Sequence, residues 1–166
     1  MASAKQEILN HIVTTLNGIR IASDYYTEIQ QVIKGKIVNI GNVPPLWRAG
    51  YCAVVFSDQE SVPTGTATLQ ATTSYTIYSA MDNCTSEMFM NFMDDIEASL
   101  AKNSSLDGVA HTSYNVIDSY IASIQIFDTE EQDEMLSSGD EQYRVREALL
   151  SFVVSYSYHP RMMSGV

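Results

Sequence analysis

Apolar residues near the start of the chain recur at three- and four-residue steps. Ile8, Ile12, Leu16 and Ile19 form the stripe, Leu9 and Val13 widen it, and Lys5, Glu7, Asn10 and Asn17 lie off it. That period predicts an amphipathic helix that packs on something, with Gly18 weakening its last turn. The stretch "DYYTEIQQVIKGKIVNIGNVPPLWRAG" follows neither period for long. Gly35, Gly41, Pro44, Pro45 and Gly50 punctuate it, so a short strand joined to an extended loop is expected. The sole tryptophan, Trp47, follows the two prolines. Its ordinary role is to pin a loop to the core, and its other role is to contact a partner.

Strand patterns then take over. "CAVVFS", residues 52 to 57, is a short apolar run. In "TATLQATTSYTIYSA", Ala67, Leu69, Ala71, Thr73, Tyr75 and Ile77 share one face, while Thr66, Thr68, Gln70, Thr72 and Thr76 share the other. Alternation of this kind predicts a half-buried strand, and Thr66 to Ser79 would span about 45 Å, enough to project past its own core. Thr85 can cap a second helix, Glu87 suits its first turn, and Met88, Phe89, Phe92, Met93, Ile96 and Leu100 make its apolar face. Asp94, Asp95 and Glu97 are expected mainly outside that face, and the helix should stop near Lys102, before "NSSLDG".

Two further strands close the chain. In "SYNVIDSYIASIQIF" the even positions Tyr114, Val116, Tyr120, Ala122, Ile124 and Ile126 line one face, with Ile117 and Ile121 making the other partly apolar. In "EALLSFVVSYSYH" the even positions from Ala148 to Tyr158 line one face and Ser151, Ser155 and Ser157 the other. Sequential strands with a connecting loop are expected to pair antiparallel. Residues 1–166 are thus expected to form a single α+β domain, a mainly antiparallel β-sheet with two helices packed against one face.

The charge is unevenly placed. Of the formal −11, residues 84 to 166 carry fourteen acidic and four basic side chains, a net −10. Nucleic-acid wrapping needs Lys and Arg to displace counterions, and nine such residues in the whole chain argue against it and against anionic lipid. Seven carboxylates fall between Asp128 and Glu141, in the connection between the last two strands. An EF-hand calcium loop started at Asp128 would put Glu130, Gln132 and Asp133 at its third, fifth and sixth positions, where Asp or Asn and a glycine are needed. The segment therefore reads as a solvated hairpin loop first and a repulsive or docking surface second. The start of the chain lacks the pattern of an export signal, and no run approaches a membrane span, so a cytoplasmic origin without membrane association is expected. Cys52 and Cys84, without a CxxC, suit a reducing compartment.

No chemistry announces itself. His11, His111 and His159 are scattered, and GxSxG, GxGxxG, HExxH and phosphate-loop motifs are absent from the sequence. No enzyme activity, cofactor or metal is expected. Long strands decorated with Ser, Thr and Tyr suit burial against other subunits better than they suit catalysis. The competing readings are a small enzyme or ligand-binding domain with a pocket of tyrosines and methionines, and an acidic DNA mimic.

The order of elements carries a resemblance. An N-terminal amphipathic helix, Tyr26, Ile29 and Val32 in a Y-x-x-I-x-x-V stretch, and "VPPLWRAGYCAVVF" come first. A long Thr-rich strand, a helix containing "MDDIEASLAKN" and a final strand ending "VVSYSYHP" follow. This series is similar to that of the tail terminator, or tail completion, proteins of long-tailed bacteriophages. The resemblance implies a tail-terminator-like fold and a hexameric ring that caps the tail tube, stops its polymerisation and joins the head. The implied partners are other copies of the chain, the tail tube protein, a head–tail connector or neck protein, and a sheath terminal ring where the tail is contractile. DNA would pass through the ring without specific binding. It also implies a place at the head-proximal end of the virion's tail. A connector or other neck protein is the near alternative. The residues expected at interfaces are Tyr25, Tyr26, Trp47, Tyr75 and Tyr78, with Glu130, Glu131, Asp133 and Glu134 in the acidic connection.

Overall fold

The computed structural model describes residues 3–65, 68–102, 114–127 and 143–158. In chain order these form α1 (Ala4–Asn17), β1 (Gln31–Lys34), β2 (Tyr51–Pro63), β3 (Leu69–Cys84), α2 (Ser86–Lys102), β4 (Tyr114–Phe127) and β5 (Arg144–Tyr158). The strands make one mixed sheet in the order β1-β2-β3-β5-β4. Three neighbouring pairs are antiparallel; β1 and β2 are parallel because residues 35 to 50 cross the sheet and return to the end where β1 began.

Both helices start where the sequence provides a cap. Ser3 Oγ accepts the Gln6 N–H at the head of α1, and Thr85 Oγ1 accepts the Met88 N–H at 3.2 Å at the head of α2. Ile8, Leu9, Ile12 and Leu16 of α1 and Phe89, Phe92, Met93, Ile96 and Leu100 of α2 share one core with Ala71, Tyr75 and Ile77 of β3 and Leu150, Phe152 and Val154 of β5. The two helices therefore cover the same face. Opposite them, Ile40 and Val43 seal a smaller core against Tyr51, Ala53, Tyr78 and Ala80.

Several expectations are corrected. The run at residues 52 to 57 is the first half of a strand thirteen residues long, because backbone pairing with β3 carries the polar "SDQESVP" onward past a bulge at Ser57. β3 continues beyond Ser79 to Cys84, while Thr66 and Ala67 lie outside the described residues. Met88 is exposed and Asp95 is buried, the reverse of the expected arrangement on α2. The even positions of β4 do not stay on one face. The register shift between Val116 and Asp118 turns Tyr120 to the other face, and the shift between Ile121 and Ser123 restores the alternation, so Ile124 and Ile126 are level with Leu150 and Ala148 and yet are exposed. β4 and β5 do pair antiparallel, so the acidic connection joins adjacent strands, but Glu130, Glu131, Asp133 and Glu134 lie outside the described residues.

Candidate interaction surfaces

The loop carrying Tyr25 and Tyr26 is shaped by a carboxylate. Asp95, 2% exposed on α2, accepts the Tyr26 N–H at 3.0 Å, the Thr27 N–H at 2.7 Å and the Thr27 hydroxyl. These three bonds replace the water the buried carboxylate has lost. Arg20 ties the far side of the same loop by donating to the Ile29 carbonyl, and Asp24 turns the chain with φ 69°, in the left-handed region that Asp tolerates better than most side chains. The result separates the two tyrosines. Tyr25 is half-buried against the main core, whereas Tyr26 is 71% exposed.

Two clefts flank this loop. One, of about 430 Å³, is lined by His11, Thr14, Thr15, Gly18, Ser23, Tyr25 and Ser99. The other, of about 580 Å³, lies between Ile21, Thr27, Glu28, Gln30, Pro45, Arg48, Met81, Asp82 and Met88, among others. Neither is a pocket of clustered tyrosines, since Tyr51, Tyr75, Tyr78, Tyr114 and Tyr156 are all buried in packing.

Trp47 and Tyr78 belong to the smaller core. Pro44 and Pro45 start a short helical turn, Pro45–Trp47, that lays the half-buried indole against that core. Arg48 holds the segment by donating to the carbonyls of Val43 and Gly41, each at 3.1 Å. The Tyr78 hydroxyl accepts the Ile40 N–H and donates to the Glu147 carboxylate, which also receives the Asn39 amide. Burial and then the Glu147 carboxylate push the ionisation of Tyr78 upward. Tyr75 is wholly buried and donates to the Lys5 carbonyl at 2.9 Å. Among the expected contact residues, then, Tyr26 presents its ring to solvent. Tyr75 and Tyr78 are corrected to core positions, and Trp47 takes the role of a loop anchor.

The broadest outward-facing surface is the sheet itself. β1 covers only Tyr51 to Val54 of β2, so the outer half of that strand has β3 as its one strand neighbour among the described residues. At the opposite side β4 is the outermost strand among the described residues. The face away from the helices, beyond the small core, is a ladder of hydroxyls in which Ser57 bonds Thr76 at 2.5 Å and Thr72 bonds Ser155 at 3.4 Å. Ile117, Tyr120, Ile124, Ile126 and Phe127 of β4 are exposed large apolar side chains.

Burial suppresses the ionisation of several side chains. Cys52 and Cys84 are buried thiols, not joined in a disulfide. Desolvation pushes the Cys52 thiol up to about 12, against a smaller lowering by its bond with Ser79, so the nucleophilic thiolate is suppressed. Burial likewise raises Tyr114 and Tyr156 to about 12, with a further rise at Tyr114 from Glu7. No group of three His, Cys, Asp or Glu side chains able to hold a metal occurs among the described residues, and His111 and His159 lie outside them. Among those residues no helix is long and apolar enough to cross a membrane.

Sequence reading missed Asp95 and Arg146. Asp95 stands three residues after Phe92 and four before Ser99, which is also buried, so helical spacing places it on the packed face. Arg146, 2% exposed, has the same parity as Ala148 and Leu150 and donates its Nε–H to the Cys84 carbonyl at 3.1 Å. Compared with known proteins, the chain matches no family model and no curated protein sequence.

Proposed function

We propose that the chain is a structural subunit of a long-tailed bacteriophage, forming a hexameric ring that caps the tail tube, ends its polymerisation and offers the head or neck its docking surface. The observation that carries this reading is the sheet with two outer edges. The outer half of β2 and the length of β4 lie at its opposite sides, where a neighbouring subunit can add strands to each.

Charge fits the same role. Six copies carry 6 × (−11) = −66 formal charges, and a channel wall of that sign repels DNA, which bears about one charge per 1.7 Å of its axis. A connector or other neck protein is the adjacent reading, because it draws on the same edges. Mixing the purified protein with polymerising tail tubes separates them. Rings at one tube end and a fixed tube length are expected; tubes of unaltered length with bare ends refute the terminator role.

A further inference from the structure

We propose that the cleft between the Tyr26 loop, the proline turn and the head of α2 docks an apolar segment of another polypeptide that carries Lys or Arg. The inference goes beyond the ring reading and does not depend on it.

The cleft holds about 580 Å³. Ile21, Pro45, Met81 and Met88 supply its apolar lining, and Glu28 and Asp82 add two carboxylates. Leu46 follows Pro45 in the chain, and Tyr26 precedes the lining residue Thr27. Leu46, Tyr26 and Ile21 are 78%, 71% and 61% exposed, three of the five most exposed large apolar side chains among the described residues. Apolar residues scattered singly over a surface need no explanation, but gathered at one cleft they mark a place of contact. Methionine suits such a place, because its unbranched, polarisable chain adapts to what it meets.

These side chains stand on braced backbone. Asp95 accepts the N–H groups of Tyr26 and Thr27, and Arg48 donates to the Val43 and Gly41 carbonyls before the proline turn. The Asp82 N–H donates to the Arg48 carbonyl at 2.7 Å, tying the end of β3 to that turn. Three segments distant in sequence are thus fixed around one opening. Little ordering is left for a partner to impose.

Charge selects the occupant. Arg48 is the basic side chain of the lining, and its guanidinium is already committed to two carbonyls. Glu28 is exposed in the lining, and Glu87 is exposed beside Met88 in the first turn of α2. A second copy would bring a formal −11 of its own, and nucleic acid and anionic lipid are negative throughout, so all three would meet like charge. A basic, apolar segment meets opposite charge at the rim and methionine and isoleucine within. That is the usual division of a specific interface.

Fluorescence anisotropy of a labelled synthetic peptide of leucines and lysines, titrated with the full-length protein, tests the cleft. Saturable binding is expected, weakened at least tenfold when glutamates replace the peptide's lysines or serines replace its leucines. Leu46→Ser with Met88→Gln should weaken it about tenfold, with the circular dichroism unchanged because both side chains are exposed. Glu28→Gln should make binding less sensitive to salt. Ile117→Ser, at an exposed apolar residue of β4, should leave it as in the wild type.

No saturable binding overturns the proposal. So does equal affinity for the glutamate or the serine peptide, or a loss at Ile117→Ser as large as that in the cleft variant. Self-association of the protein that Leu46→Ser with Met88→Gln abolishes would give the cleft to a second copy, and overturns the choice of a basic partner. Rings at tube ends without peptide binding keep the terminator role and remove the docking site; peptide binding without rings does the reverse.

Discussion

β5 and β4 lie side by side, fifteen and fourteen residues long, and both alternate apolar with polar residues over much of their length. Their fates differ. In β5 every second residue from Arg146 to Tyr156 is buried under the helices, and the other face is half-covered by its neighbours. In β4 only Tyr114 and Val116 are buried. The contrast shows that alternation selects a face, while the strand's place in the sheet decides whether that face is covered. A central strand has neighbours on two sides; an edge strand has one, and β4 keeps apolar side chains that no described element lies over.

The largest effect that tests this contrast is on stability. Phe152→Ala in β5 should cost about 3–5 kcal/mol, the usual loss for emptying a buried aromatic site. Tyr120→Ala, whose residue is level with Val153 one strand away, should stay within about 0.5 kcal/mol, as exposed substitutions do. Urea unfolding of both variants checks the pair, and equal losses would erase the distinction between centre and edge.

Next in size is Asp95→Ala. It removes the acceptor of the Tyr26 and Thr27 N–H groups and of the Thr27 hydroxyl, and should cost about 2–3 kcal/mol, since hydrogen bonds to a charged group outweigh neutral ones. Hydrogen exchange should quicken at Tyr26 and Thr27 first. Protection unchanged there would mean that the loop is held by something else. Gly50→Ala follows: an added Cβ would meet the Glu28 carbonyl oxygen at 2.8 Å, and backbone on backbone gives way only by moving β1 against β2, for about 1–3 kcal/mol.

How far the sequence could be read follows the same division. The helical stripes and the faces of β3 and β5 were legible because one period runs through each from end to end. β4 misled because its two bulges break the period, and Ile117 and Ile121, the odd apolar residues, were the visible trace of that break. The polar half of β2 was illegible for the opposite reason. "SDQESVP" has no apolar alternation, and its strand state comes from pairing with β3, a tertiary cause that local pattern does not carry. Of the surface residues expected from sequence, alternation already set Tyr75 on the apolar face of its strand, whereas the core place of Tyr78, bonded to Ile40 and Glu147, depends on tertiary contacts that residue type does not carry.

The smallest effect at neutral pH grows as the solution turns alkaline. An unfolded Cys loses its proton near 9.0 and an unfolded Tyr near 10.0, whereas burial holds Cys52, Tyr114 and Tyr156 to about 12 in the fold. Between those values the unfolded chain has released protons that the folded chain keeps, so rising pH favours unfolding. The contribution is complete below about pH 9 and drains away toward pH 12. Unfolding midpoints should hold steady from pH 7 to 9 and fall above it, and Cys52 should resist thiol reagents until the fold opens. Tyr114 ties this back to the edge: it is the one member of the three on β4, and its ring meets Tyr156 of β5 edge-on at 5.9 Å. Tyr114→Phe keeps that ring contact and removes one late-ionising hydroxyl, so its alkaline loss should be shallower than that of the wild type. An identical alkaline profile would show that this end of β4 is as solvated as the rest of the strand.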